Sequence, residues 1–304
     1  MSILIDHNTR LLIQGITGKE GLRSYQWSQA YNPKTVVAGV TPGKGGQFVE
    51  NVPVYSSVSE ALTAHPEINA SSIYAPPAFV LEAAAEALET HIPLIHIIAE
   101  EVPLRDTVKL LDLAKHVKSR IVGPASIGII SPGQAKIGSI GGPDNLQFQP
   151  GSVGLISKSG GMSSEIALLL SKNGYGQSTV VGIGGNVIAG TTFADLVDDF
   201  ENDDQTKAVV IIGEIGGAYE EMLAQKLASL PNHKPYVAFI SGQFAELLPE
   251  GMSFGHAGAI VSHSMGTRQG KIAALTQAHV EIAPDPSAII NILNQKITPD
   301  YERN

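Results

Sequence analysis

Apolar residues along the first part of the chain fall into short runs that alternate with stretches of helical spacing. Leu11–Ile13, Thr35–Val40, Ser72–Tyr74, Leu94–Ile98 and Arg120–Val122 read as strands, because each is brief, rich in aliphatic or β-branched residues, and bounded by turn formers. Between them the period changes. Leu110, Leu113, Ala114 and Val117 keep the i, i+3, i+4, i+7 spacing of a helix with one buried face, and Val80–His91 is an alanine-rich stretch of the same kind. Strands without polar alternation are buried on both faces, which calls for a parallel sheet covered by helices through right-handed crossovers. Residues 1–130 therefore predict a Rossmann-like domain.

From Ser131 to Pro150 the pattern dissolves into Gly, Pro and Gln without sustained periodicity, and 131–150 reads as a linker. A second alternating series follows over 151–304. Val153–Ser157, Ser178–Gly182, Ala208–Ile212, Tyr236–Ile240 and Ala259–Val261 are its strands, with helices near Ser163–Lys172, Tyr219–Leu230 and Thr267–Ala278. The expectation is an α/β protein of two doubly wound sheets, the second flavodoxin-like.

Composition narrows the partners. With a net charge of −9 and no basic block, nothing follows a phosphate backbone, so no nucleic acid is expected. The chain has no cysteine, which excludes disulfides, thiolate metal sites and a thiol nucleophile. The opening MSILIDHNTR lacks an apolar run of signal length, and no stretch approaches about 20 uninterrupted apolar residues. A cytoplasmic protein with no membrane contact and small ligands is expected.

The glycines cluster at strand ends. The first strand runs into Gly15-Ile16-Thr17-Gly18-Lys19-Glu20-Gly21, where bare backbone N–H groups and the Thr17 hydroxyl can meet a phosphate at a helix start. The spacing is GxxGxxG instead of GxGxxG, and the second strand ends at Val40 without an acid to grip a ribose, which disfavours NAD. Thr41-Pro42-Gly43-Lys44-Gly45-Gly46 stands there instead, with a lysine on a turn. It is too short for a phosphate-cradling P-loop and lacks its Ser/Thr.

In the second half, Ser159-Gly160-Gly161-Met162-Ser163-Ser164-Glu165 opens a helix after a strand. That start suits a phosphoryl or carboxylate group, and an ordinary helix cap reads the same way. Gly213-Glu214-Ile215-Gly216-Gly217 follows another strand, placing an acid where ligands gather in open α/β sheets, or a plain surface turn. His256, in Gly255-His256-Ala257-Gly258, is flanked by small residues on both sides. An uncovered imidazole can attack a γ-phosphoryl group, with a carboxylate such as Glu214 setting its tautomer; a lone histidine in a glycine turn is otherwise structural.

Taken in order, ITGKEG, VTPGKGG, GIGG at 182–185, GEIGG at 213–217 and GHAGAI at 255–260 resemble the α subunit of succinate–CoA ligase across essentially the whole chain. The resemblance implies a CoA-binding domain, then a ligase domain carrying a phosphohistidine. It implies a β-type ATP-grasp partner, in αβ or α2β2 assembly, that binds ATP or GTP with Mg, so that this chain supplies no metal site. Carried across by motif, Thr17, Gly18, Lys19, Glu20, Lys44, Ile98, Ala99 and Glu100 would contact CoA. His256 and Glu214 would be catalytic, and Ser159, Gly160, Gly161 and Ser164 would hold phosphate and substrate. Three departures bear on the acid: GPASIG at 123–128, SGGMSSE with Ser164 where succinate enzymes carry tyrosine, and Asn186 where they carry aspartate. The first two, with KIGSIGG at 136–142, look like ATP-citrate lyase and the citryl-CoA synthetase small subunit. A pocket enlarged by serine and glycine implies a citrate-like acid. Succinate, or a CoA-binding protein without catalysis, are the alternatives.

Overall fold

The computed structural model describes residues 2–143, 145–243 and 266–301. In the first half the chain runs β1 (Leu11–Gln14), α1 (Lys19–Tyr31), β2 (Val36–Val40), β3 (Phe48–Val49), β4 (Val52–Tyr55), α2 (Val58–Ala64), β5 (Ala70–Ile73), α3 (Val80–Glu89), β6 (Leu94–Ile97), α4 (Leu104–Val117) and β7 (Arg120–Val122). These strands form one sheet in the order β3-β4-β2-β1-β5-β6-β7. Only the β3–β4 pair is antiparallel. All of β1 is buried, as its unbroken apolar run requires. Polar residues inside this sheet are paired: Gln14 Nε2 donates to Ser71 Oγ at 3.1 Å, and Ser72 Oγ meets His96 Nδ1 at 2.7 Å.

The second half holds β8 (Gly128–Ser131), β9 (Ala135–Gly138), β10 (Pro150–Ser157), α5 (Gly160–Lys172), β11 (Gln177–Gly182), α6 (Val197–Asn202), β12 (Ala208–Glu214), α7 (Tyr219–Ala228), β13 (Tyr236–Ser241), α8 (Arg268–Gln277), β14 (Glu281–Ile282) and α9 (Ala288–Lys296). The sheet order is β14-β13-β12-β10-β11-β8-β9. The architecture is α/β with two doubly wound sheets, each mixed by an antiparallel edge. The strand expected at Ala259–Val261 lies outside the described residues.

One expectation is corrected. Of residues 131–150, read as a linker, those up to Gly138 belong to the second sheet: β8 and β9 form a hairpin on its edge, with Gly128 opposite Gly138, whereas 139–149 lead on to β10. Two glycines, of which Gly138 fell within the stretch read as loop, let these strands pair closely. Gly128 and Gly138 have φ of +119° and +90°, and a Cβ on Gly128 would stand 2.0 Å from the Ile137 carbonyl oxygen. Lys136 hides the apolar run further. It is buried, donating from Nζ to the Gly142 carbonyl at 2.5 Å, with Nζ 5.5 Å from the Trp27 ring.

That hairpin also joins the halves. Asn32, at the end of α1, donates from Nδ2 to the Gln134 carbonyl at 2.7 Å, and Gly133 N–H donates to Tyr31 Oη at 2.7 Å. The helix whose start carries the first glycine turn therefore ends against the second sheet. Among the described residues no helix is long and apolar enough to cross a membrane.

Among the described parallel strands of each sheet the winding reverses direction once. It does so beside β1, between β2 and β5, and beside β10, between β11 and β12. At such reversals the loops leaving the carboxyl ends of the strands part and open a crevice.

Candidate functional site

At the first reversal, Gly15 follows β1 with φ of +79°, and a Cβ there would lie 2.9 Å from the Tyr74 carbonyl oxygen, so only glycine lets the two turns approach. Gly18 caps α1 with extended backbone and no side-chain cap, leaving the first N–H groups of the helix open. Thr17 Oγ1 donates to Thr41 Oγ1 at 3.1 Å, and Lys44 Nζ donates to Thr17 Oγ1 at 3.2 Å. Two motifs read separately in the sequence are thus one cluster: a hydroxyl and an ammonium over a helix start. Lys19 and Glu20 stand exposed in the first turn, Glu20 paired with Arg23.

Ile98, Ala99 and Glu100 leave β6 in another direction. The Ala99 carbonyl accepts from Ala125 N–H at 2.9 Å, and the Ile97 carbonyl from Ser126 N–H at 3.2 Å. His96, buried beneath, completes this seam with Nε2 3.1 Å from the Ser126 carbonyl, and burial pushes its pKa down to about 4. The neutral ring donates from Nε2 and accepts the Ser72 hydroxyl at Nδ1. The turn at 123–128, with Ala125 at φ +60°, is therefore built onto 98–100. Its far side packs on the second half: Ser126 Oγ donates to the Gly182 carbonyl at 2.5 Å. A Cβ on Gly160 would meet Ile127 Cγ2 at 2.6 Å, and one on Gly184 would meet the Pro124 carbonyl oxygen at 2.6 Å. The predicted segments 98–100, 123–128, 159–161 and 182–184 are contiguous.

At the second reversal, Ser159 caps α5, accepting from Met162 N–H at 3.4 Å. The helix begins three residues before its expected start, so Gly160 and Gly161 form its first turn, and a Cβ on Gly161 would have no neighbour within 4 Å. Ser164, half-buried, lies one turn further on. Across the crevice β12 continues to Glu214, whose carboxylate is nearly buried. Lys158, absent from the residues expected to form the site, stands between β10 and α5 with Nζ 3.1 Å from Glu214 Oε1. The Tyr219 ring lies 5.5 Å from that ammonium, and Tyr219 Oη accepts from Ala189 N–H at 2.8 Å and donates to the Val187 carbonyl at 3.1 Å. Burial raises the Tyr219 pKa, which keeps that donor protonated. Asn186, just before Val187, is buried. The signal for Lys158 was in the sequence: a lone cation where a buried strand meets a Ser-Gly-Gly helix start.

His256 lies outside the described residues. The residues flanking that segment both rest on the Glu214 loop. A Cβ on Gly242 would touch Ile215 at 3.0 Å, and Gly266 accepts from Gly216 N–H at 2.8 Å. The loop is braced from below by Glu220, whose Oε1 accepts from Glu214 N–H at 3.1 Å while Oε2 pairs with the fully buried Lys271.

Comparison with known proteins adds to this geometry. A model of the CoA binding domain matches residues 6–101, and one of the CoA-ligase domain matches 156–281. An ADP-forming succinate–CoA ligase α subunit of Archaeoglobus fulgidus is 44% identical, over 93% of this chain and 94% of that one. An ADP-forming sulfoacetate–CoA ligase subunit of an Acholeplasma species is 38% identical, over 97% of this chain and 98% of its own length. Among solved structures, ATP citrate lyase from Methanothrix soehngenii, in complex with citrate and coenzyme A, superposes with a TM-score of 0.88 at 27% identity. That likeness covers 99% of this chain, which spans about half, 53%, of the larger one.

Proposed function

Since the chain belongs to the family of acid–CoA ligase α subunits, we propose that it is the CoA-binding, phosphoryl-carrying subunit of a nucleotide-dependent acid–CoA ligase. It works with a β-type ATP-grasp subunit that holds ATP or GTP and Mg. What supports this most is one observation: Lys158, two residues before the open start of α5, pairs with Glu214, and both described flanks of the His256 segment rest on the Glu214 loop.

In this reading a ring nitrogen of His256 attacks the γ-phosphorus, and the bond to the bridging oxygen breaks as the nucleoside diphosphate leaves. Glu214 fixes the tautomer of the ring, and the N–H groups of Gly160 and Gly161 hold the phosphoryl oxygens. A carboxylate oxygen of the acid then takes the phosphoryl group and frees the imidazole. Finally the CoA sulfur, having lost its proton, attacks the acyl carbon, and phosphate leaves. The residues at the first reversal fit CoA: Gly15 lets the turns after β1 and β5 close up, the uncapped start of α1 presents its N–H groups, and Lys44, held by Thr17, offers its ammonium to the phosphates. Ile98–Glu100 pair with the 123–128 turn, where acid and thiol would meet.

The acid is citrate-like. Ser164 and Gly161 leave room near the turn at 123–128, against which Gly160 packs and whose backbone is anchored at Ala125, Ser126 and Gly128. Succinate is the second reading, favoured by the name of the Archaeoglobus relative. The test uses the complex with its β-type subunit. Label from γ-³²P-nucleotide should enter the chain and vanish in His256→Gln. A hydroxamate assay should favour citrate over succinate and malate. Preference for succinate overturns the citrate assignment, label surviving in His256→Gln removes that residue, and CoA binding without any label identifies a catalytically silent protein.

A further inference from the structure

The Glu214 carboxylate, side chain 10% exposed, cannot be charged without a countercharge nearby, since a buried ion left alone turns to solvent or takes up a proton. Lys158 supplies it. Its own side chain is 2% exposed, and Nζ lies 3.1 Å from Oε1. The lysine cannot swing far. Its N–H donates to the Ile212 carbonyl at 3.2 Å, which ties the β10–α5 junction to β12, and the Tyr219 ring faces the ammonium at 5.5 Å. Around the pair stand Glu220, which accepts from Glu214 N–H, and Lys271, which neutralises Glu220. Backbone and side chain of Glu214 are thus held by separate groups, Glu220 and Lys158.

We propose that Lys158 is a positioning residue for the phosphoryl step: it keeps the Glu214 carboxylate ionised and aimed across the crevice, beside the start of α5. The inference rests on the carrier reading above, in which Glu214 orients the phosphorylated imidazole. Lys158 acts through Glu214, so its contribution exists only while that carboxylate does.

The test measures the rate of label transfer from γ-³²P-nucleotide into the complex, with CoA affinity followed by calorimetry. Lys158→Met should slow labelling at least about tenfold, one pairing of this kind being worth that order in rate, and leave CoA affinity within about twofold. Lys158→Arg should restore most of the rate, since guanidinium keeps the charge. In a Glu214→Gln background, Lys158→Met should add no further loss, which a purely structural role would not produce. Should Lys158→Met fold poorly, the neutral Lys158→Met/Glu214→Gln pair and Lys158→Arg still decide the matter. An equal multiplicative loss in both backgrounds, or an arginine variant as slow as methionine, overturns the proposal. An unsubstituted complex that takes no label overturns the carrier reading together with it, whereas normal labelling that Lys158→Met leaves untouched overturns the Lys158 assignment alone.

Discussion

Lys44 Nζ lies 3.2 Å from Thr17 Oγ1, joining the turn after β2 to the turn after β1. The pairing is exposed, so it contributes little to folding and leaves the Lys44 ammonium able to face an anion. Lys44→Ala should weaken CoA binding about tenfold, the worth of one charge-assisted hydrogen bond to a phosphate. The melting temperature should not move. Calorimetric titration beside a thermal melt checks both, and unchanged affinity would separate this turn from the ligand.

Gly160 and Gly161 are neighbours with opposite demands. Gly161→Ala meets no neighbour within 4 Å and improves helix propensity, so stability should hold or rise by up to about 1 kcal/mol. The added methyl faces the open helix start, so label transfer should nonetheless fall. Gly160→Ala drives a methyl to 2.6 Å from Ile127 Cγ2 and should cost about 1–3 kcal/mol in urea unfolding. Equal stability of the two variants would contradict the packing described.

The buried Lys271–Glu220 pair is predicted to be costly to break and cheaper to replace. Lys271→Met alone should lose about 3–5 kcal/mol, leaving a buried carboxylate uncompensated. Lys271→Met/Glu220→Gln, which keeps an acceptor for Glu214 N–H, should recover at least half of it. Urea midpoints of the two variants give the answer, and a double variant no better than the single one would refute it.

His96 links pH to stability. Its folded pKa is held by burial at about 4, against about 6.5 when unfolded. The unfolded chain therefore binds the proton first. This contribution is fully present above about pH 6.5 and is lost as pH falls toward 4, at no more than about 1.4 kcal/mol per pH unit. His96→Asn should flatten that part of the slope. Urea midpoints taken between pH 7.5 and pH 4.5 compare the two proteins, and parallel slopes would show that His96 does not titrate in this way.

Element type was legible where one period dominates. The runs at Leu11–Ile13 and Arg120–Val122, and the helix through Leu110, Leu113, Ala114 and Val117, sit where spacing put them because burial on both faces, or on one, leaves its mark in consecutive residues. The hairpin at 128–138 did not show. Gly128 and Gly138 serve close strand pairing instead of a turn, and Lys136 interrupts its apolar run while being buried against the Gly142 carbonyl and the distant Trp27 indole.

By itself the sequence determined two α/β halves, the glycine turns at strand ends, and the residue types that can meet a phosphate. These are local properties, set by side-chain period and backbone freedom within a few residues. Only the tertiary structure decided that Thr17 shares a cluster with Lys44, that the 98–100 and 123–128 turns form one seam leading to Gly160, and that Lys158 is the partner of Glu214. Each of these joins elements distant in sequence, and their meeting depends on strand order and on where each winding reverses, which no short window of residues contains.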